Sequence, residues 1–334
     1  MSDGSPGGFA ATIPLAPAGM SVTELCFGTS KLLRLHSSRA RQRLLDAAYD
    51  CGIRHFDTAR SYGLGEAEHE LGLFLRRHPD ATVATKLGIR ITASGRWLRP
   101  LQGLARRCVD IAPGIRRVLR RTGTPLVAPR DFDVVSARTS LEASRNALGV
   151  DRIGIVFLHE PDGSCVIPPE LVELFALARD KGWIGGWGLS GNLADLLDVR
   201  RAHPDLAPVL QYASDAVTRS RLPQVPAVPH LTFGPFSHAL DAIASWLQQR
   251  SPLDAWRRDV DAATDRSTIA GLLLADAVTP PHRAPVVFST TSVAHLTAAT
   301  AAVGDPATRA RVERLRDWIG CQTAGGHAGE VGPT

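Results

Sequence analysis

Short strand-like runs alternate with helical stretches along most of this chain, and that alternation limits its fold more than any other feature. Strand signals fall at 24–29, 55–58, 81–85, 153–158, 185–190, 209–213, 230–233 and 286–289. Helical signals lie between and after them. Ser37 or Ser38 caps a helix with Leu44, Leu45 and Ala48 on its apolar face and Gly52 as its stop. Others cover 66–77, 136–149, 239–250, 266–277, 292–303 and 305–320. Pro168-Pro169 opens one more, with Leu171, Leu174, Phe175 and Ala178 on one face and Lys181-Gly182 as its end. Eight strands in this alternation predict an α/β protein with a single (β/α)8 TIM barrel.

Such a barrel needs about 250 residues, and the chain has 334. The barrel is expected over 13–320, between a disordered tail over 1–12 and a flexible tail over 321–334. A hairpin around Ala18-Gly19 precedes it. The third strand is followed by an irregular insertion, 88–138, punctuated by Pro100, Pro113, Pro125 and Pro129. That insertion carries eleven Arg against three Asp and no Glu, a local charge of +8 in a chain whose net charge is +5. Following a strand's C-terminal end, it would lie over the barrel mouth as a solvated loop, or as a basic lid that selects anionic substrates or reaches cofactor phosphates. Nucleic acid is not favoured, since only Trp97 accompanies those arginines.

Several classes are disfavoured. No run of 18 apolar residues suggests a membrane span. The N-terminus lacks the basic start and apolar core of a secretory signal, which makes the cytoplasm the default expectation. The cysteines (Cys26, Cys51, Cys108, Cys165, Cys321) are scattered and odd in number, without a CxxC pair or a Cys/His cluster, so neither a metal nor a disulfide framework is expected. No GxGxxG runs from a strand into a helix.

In barrels of this kind the chemistry sits at the strand C-terminal ends. Asp57, Tyr62, Lys86 and His159 fall at or just after the ends of strands two, three and four. Singly, each has a bland role as helix cap, packing ring, surface ion-pair partner or core histidine. Together they make a metal-free proton-transfer set. A Tyr that ordinarily titrates near about 10 is drawn towards its ionised form by a neighbouring cation, here Lys86. A carboxylate such as Asp57 keeps that ammonium charged, and His159 can orient a substrate oxygen.

The stretch Phe56-Asp57-Thr58-Ala59-Arg60-Ser61-Tyr62-Gly63-Leu64-Gly65-Glu66 resembles the F-D-T-A-x-x-Y-G-x-G-E signature of the aldo-keto reductases. The resemblance implies that the hairpin closes the barrel bottom. It also implies that Asp57, Tyr62, Lys86 and His159 form a catalytic tetrad with Tyr62 as general acid/base. Hydride would pass between NAD(P)H and an aldehyde, ketone or sugar-type alcohol, a small molecule that the basic insertion could require to be anionic.

Lys181 to Ser190 is similar to the family's G-K-I-R-x-x-G-V-S-N segment, which implies that Ser190 and Gln211 hold the nicotinamide carboxamide. The usual Asn is Gly191 here, with Asn192 one further on. Phe233 stands where an aromatic ring faces the nicotinamide, and Gly234-Pro235 begin the pyrophosphate loop. Gly28 and Thr29, ending the first strand, complete this group. Ser289, Thr290, Thr291 and His295 occupy the segment that binds the adenosine 2′-phosphate, without the family's Arg or Lys. Hydroxyls and a helix start near Ser292 can still take a phosphate, and NADP(H) is expected over NAD(H). Two other classes use the same residues: an aldolase or lyase acting through a Schiff base on Lys86, and a cofactor-sensing regulatory subunit with weak catalysis.

Overall fold

The computed structural model describes residues 12–15, 18–91, 127–203, 209–219, 222–223 and 228–324. Most of the expected N-terminal tail, residues 92–126 of the insertion and residues 325–334 lie outside them. Eight parallel strands close into a barrel: β1 (Leu25–Gly28), β2 (His55–Asp57), β3 (Thr82–Leu87), β4 (Ile153–His159), β5 (Ile184–Gly191), β6 (Val209–Ala213), β7 (His230–Phe233) and β8 (Val286–Phe288). Each pairs with the next, and β8 returns to β1. All eight are those expected from the sequence, displaced by up to two residues at their ends.

The strands are buried on both faces, as a parallel sheet wrapped by helices must be. Alternate residues divide between two cores. Cys26, Ala84, Ile155, Phe157, Val209, Leu231 and Val287 fill the barrel interior. Phe27, Phe56, Val83, Val156 and Val286 face the helices. An antiparallel hairpin, Thr12–Leu15 with Met20–Thr23, adds Leu15, Ala18 and Val22 to the interior core. It therefore seals the barrel at the strand N-terminal ends, and Thr12 belongs to it and not to a tail.

The surrounding helices are α1 (Ser38–Asp50), α2 (Glu66–Leu75), α3 (Val134–Leu148), α4 (Pro169–Asp180), α5 (Leu193–Ala202), α6 (Ala239–Trp246), α7 (Arg266–Ala277), α8 (Val293–Gly304) and α9 (Val312–Ala324). Local chemistry starts several of them: Ser37, Asp133, Asn192, Asp265 and Ser292 each accept a backbone N–H in the first turn. Three outcomes differ from the sequence reading. α5 was not anticipated. The single helix expected over 239–250 stops at Trp246, with a second short one at Arg250–Ala255. The terminal helix is broken into Pro306–Ala310 and α9, which continues to Ala324, so no tail begins at 321.

Between β6 and β7 no α-helix lies among the described residues. Arg219 from that connection reaches the fully buried Asp276 of α7 at 2.8 Å, and Arg316 of α9 meets the same carboxylate at 2.6 Å. Two guanidiniums thus compensate one buried charge and tie three segments together. After β3 the insertion opens with a two-stranded antiparallel pair, Ile89–Ile91 with Val127–Arg130, and the Asp131 N–H donates to the Gly88 carbonyl at 2.8 Å.

Candidate active site

The C-terminal ends of β2, β3, β5 and β6 bring polar residues into one buried hydrogen-bond chain. Lys86, 4% exposed, lies within β3 and not just beyond it. Its ammonium donates to Asp57 Oδ1 at the end of β2, and to the Thr58 carbonyl at 3.0 Å. The other Asp57 oxygen accepts from Gln211 Nε2 of β6 at 2.8 Å. Gln211 Oε1 in turn accepts from Ser190 Oγ of β5 at 2.7 Å. The expected catalytic pair and the expected carboxamide pair are therefore one connected network.

Tyr62 is delivered by a sharp bend. Gly63, Leu64 and Gly65 all have positive φ (56°, 57° and 89°), a run only glycine-rich sequence supports without heavy strain. The Lys86 ammonium lies 5.2 Å from the Tyr62 ring centroid, and the His159 ring meets Tyr62 edge-on at 6.2 Å between centroids. His159 ends β4 opposite Ser190 of β5.

Burial raises the Tyr62 hydroxyl above its ordinary range, and the opposing pull of Lys86 does not overcome it. Lys86 draws Tyr62 towards ionisation as expected, but burial outweighs that pull and Tyr62 is a phenol at neutral pH, with a proton to give. Burial works against the Lys86 ammonium, but the charge of Asp57, with hydrogen bonds to Asp57 and Tyr62 and the charge Tyr62 gains only at alkaline pH, outweighs it and raises Lys86.

Two buried histidines stay neutral. Burial, then the charges of Lys86 and Arg130, lower His159 to about 3, and its Nδ1 has no hydrogen-bond partner. Burial lowers His55 to about 4, while its Nδ1 pairs with Thr82 Oγ1 at 2.8 Å. An unfolded histidine titrates near about 6.5, so below that pH the unfolded chain binds more protons than the folded one. The stability these histidines contribute is complete above about 6.5 and is lost as pH falls towards the folded values. Urea unfolding from neutral pH down to about 4 should show a falling free energy; a flat curve would refute the assignment of neutral buried imidazoles.

A cavity of about 500 Å3 opens over the tetrad. Gly28, Asp57, Tyr62, Lys86, His159, Ser190, Gln211, Phe233, Gly234, Pro235 and Ser289 all line it, as do Ser30, Lys31, Glu160, Gly191, Phe236 and Asp241. A smaller space of about 150 Å3 shares Phe236, Phe288, Ser289 and Arg266 with it and adds Thr290 and His295. Three residues expected at the cofactor line neither space. Thr29 is fully buried, its hydroxyl donating to Thr58 Oγ1 at 2.8 Å. Asn192 is exposed and caps α5, accepting the Ala194 N–H at 2.9 Å. Thr291 is exposed on the turn before α8. Sequence reasoning missed Lys31, Glu160, Asp241 and Arg266; only Glu160 carried a signal, its place directly after His159.

A model of the aldo/keto reductase family matches residues 24–220. The chain belongs to the aldo/keto reductase family. The match spans β1 to β6 and hence the whole tetrad; β7 and β8 lie beyond it. The chain is 34% identical over 205 residues to a D-threo-aldose 1-dehydrogenase of a Pseudomonas species, 58% of each chain. It is 42% identical over 152 residues to a pyridoxal 4-dehydrogenase of Microbacterium luteolum, 44% of this chain and 42% of that one. The chain thus spans about half the length of these curated relatives. Its fold is that of a glycerol dehydrogenase from Gluconobacter oxydans, with a TM-score of 0.67 at 18% identity over 97% of this chain and 98% of that one. It is also that of an aldo-keto reductase from Bacillus halodurans in its holo form, at 0.64 and 19% over 91% and 95%.

Proposed function

We propose that this protein is a nicotinamide-dependent oxidoreductase acting on a hydroxylated aldehyde or the corresponding sugar-type alcohol, with Tyr62 as the proton-transferring group. The observation that carries this reading is the cluster of buried Lys86, Asp57 and His159 with half-buried Tyr62, opening on one cavity. The cavity fits such a cofactor. Ser190 and Gln211 present a hydroxyl and an amide suited to a carboxamide, Phe233 offers an apolar ring, and Gly28 leaves no room for a side chain, since a Cβ there would lie 2.7 Å from Ser289 Oγ. When bound, a nicotinamide supplies hydride acceptance or donation at the substrate carbon.

The chain's own residues handle the proton. Tyr62 gives its hydroxyl proton to a carbonyl oxygen in reduction; in oxidation the reverse transfer runs from the alcohol to the phenolate form of Tyr62. The Lys86 ammonium, kept charged by Asp57, stabilises the phenolate left behind. Neutral His159 offers one ring N–H to the substrate oxygen. The raised Lys86 works against the aldolase reading, because a Schiff-base lysine needs the opposite shift. The curated relatives bear the names of dehydrogenases of an aldose and of pyridoxal, and a hydroxylated aldehyde can close on an internal hydroxyl as a cyclic hemiacetal. Loss of hydride from such a carbon and of a proton from its hydroxyl gives a lactone, which suits a tyrosine that both takes and returns a proton.

For the cofactor we propose NADP(H). The segment after β8 lacks a cation, but Arg266, opening α7, lines the small space beside Thr290 and His295 and pairs with Asp241 at 3.0 Å. It would hold the 2′-phosphate from the opposite wall. Calorimetric titration with NADPH and NADH tests this. NADPH should bind more tightly, and Arg266→Ala should weaken it by about 10- to 100-fold, the worth of a charge-assisted hydrogen bond, with little effect on NADH. Equal losses for both cofactors would move Arg266 to the pyrophosphate; binding of neither would sink the oxidoreductase reading.

A further inference from the structure

Glu160 has an unusual place in the cavity wall. Among the described lining residues it is the only one other than glycine with a positive φ, +54°. That conformation is disfavoured for any residue with a Cβ and persists only where the surroundings impose it. Here they do. The Glu160 N–H donates to the Ser190 carbonyl at 2.6 Å, folding the end of β4 over β5. Gly191 makes the room: a Cβ at that position would sit 3.1 Å from Glu160 Cα. The glycine that replaces the family's usual asparagine and the kink at Glu160 are thus one feature of the chain.

The kink sends the Glu160 side chain to the rim beside His159. There it is 54% exposed, and its Oε2 lies 3.6 Å from Arg130 Nη2, beyond hydrogen-bond distance. Arg130 spends its closer contact elsewhere, donating from Nη1 to Asp162 at 2.6 Å. One guanidinium therefore faces two carboxylates and leaves most of Glu160's acceptor capacity to whatever enters. A carboxylate can accept about four hydrogen bonds and donates none. The charge of Glu160 also reaches Tyr62, where it opposes ionisation. Among the described residues, the other charged ones at the rim are Lys31 and the mutually paired Asp241 and Arg266.

We propose that Glu160 binds the hydroxyl groups of the substrate, so that the cavity selects neutral, polyhydroxylated molecules of the aldose type over anionic ones. This rests on the oxidoreductase reading of the cavity and goes against the anionic substrate that the basic insertion suggested. A neutral polyol donates to the rim carboxylate; an anion meets it as a like charge.

The test compares an aldose with an unsubstituted alkanal of the same carbon number, in the wild type and in Glu160→Gln, Glu160→Ala and Arg130→Ala. For Glu160→Ala the ratio of kcat/KM for the aldose to that for the alkanal should fall at least about tenfold, the loss of one hydrogen bond to a charged group, with a smaller fall for Glu160→Gln. Binding of a non-reacting hexitol to the cofactor-loaded protein, read by calorimetry, should weaken to a similar degree. An unchanged ratio in Glu160→Ala overturns the proposal. So does the same change in Arg130→Ala, which would make Glu160 only an anchor for the insertion, and so does a wild type that prefers a uronate to the aldose. Absence of both turnover and cofactor binding in the wild type would instead sink the underlying reading of the cavity.

Discussion

Tyr62→Phe should lower kcat by about 10²- to 10⁴-fold, the range for loss of a positioned general acid or base, while cofactor affinity stays close to that of the wild type. The substitution removes one oxygen and keeps the ring that packs edge-on to His159 and lies beside the Lys86 ammonium. The bend at Gly63, Leu64 and Gly65 has no need of the hydroxyl, so the ring should stay where it is. What disappears is the only phenol facing Lys86. Steady-state kinetics with an aldose, together with a calorimetric titration of cofactor, separate the two effects. A kcat within about tenfold of wild type would remove Tyr62 from the proton transfer.

Asp57→Asn should have the largest effect on stability, with a loss of about 3–5 kcal/mol at neutral pH, the cost of leaving a buried charge without its partner. The amide cannot satisfy both neighbours. Lys86 Nζ and Gln211 Nε2 approach Asp57 from two sides as donors, and an asparagine presents a donor of its own to one of them. The pH dependence gives the sharper test. With Asp57 present, Lys86 is raised above its ordinary value. Its contribution is then complete below the unfolded lysine value of about 10.4 and is lost only as pH climbs through the folded one. Without Asp57, burial governs and Lys86 falls below its unfolded value. The unfolded chain then binds more protons, and stability rises with pH up to about 10.4. Urea unfolding of Asp57→Asn across neutral to alkaline pH should show that rise, and adding Lys86→Met should abolish it. A small loss independent of pH would mean that water or another group compensates the ammonium.

The barrel was legible because its periodic elements are local. Each of the eight strands is a short buried run bounded by turn residues, and β6 and β7 match their expected bounds residue for residue. The convergence of Asp57, Lys86 and His159 was legible for a related reason: strand ends fix which side chains reach the mouth, so these follow once the strands are placed. What escaped depends on contacts distant in sequence. The pair Ile89–Ile91 with Val127–Arg130 closes across a long stretch with no period of its own. Arg266 lines the smaller space from the first residue of α7, where no motif marked it.

Asn192 shows the opposite failure. A residue one place from a motif position was assigned to a ligand, while its more ordinary fate, capping the helix that begins at Leu193, was there in the sequence. Gly191 marked that departure from the family pattern, but not its cause, because the kink it accommodates belongs to the neighbouring strand.

The way the insertion leaves the barrel bears on how this protein can change. The chain departs at Gly88, whose φ of +107° turns it away from β3, and returns at Asp131, whose N–H rests on the Gly88 carbonyl. Phe132 then packs so closely that a Cβ at Gly88 would meet its ring at 2.3 Å. Exit and re-entry are one stapled point, so the barrel registers only that its two ends stay joined. Each doubling of the intervening length costs only about 0.6 kcal/mol in closure entropy. The segment is in that sense a cartridge: it can be shortened, lengthened or exchanged at a fixed socket while the barrel keeps its shape.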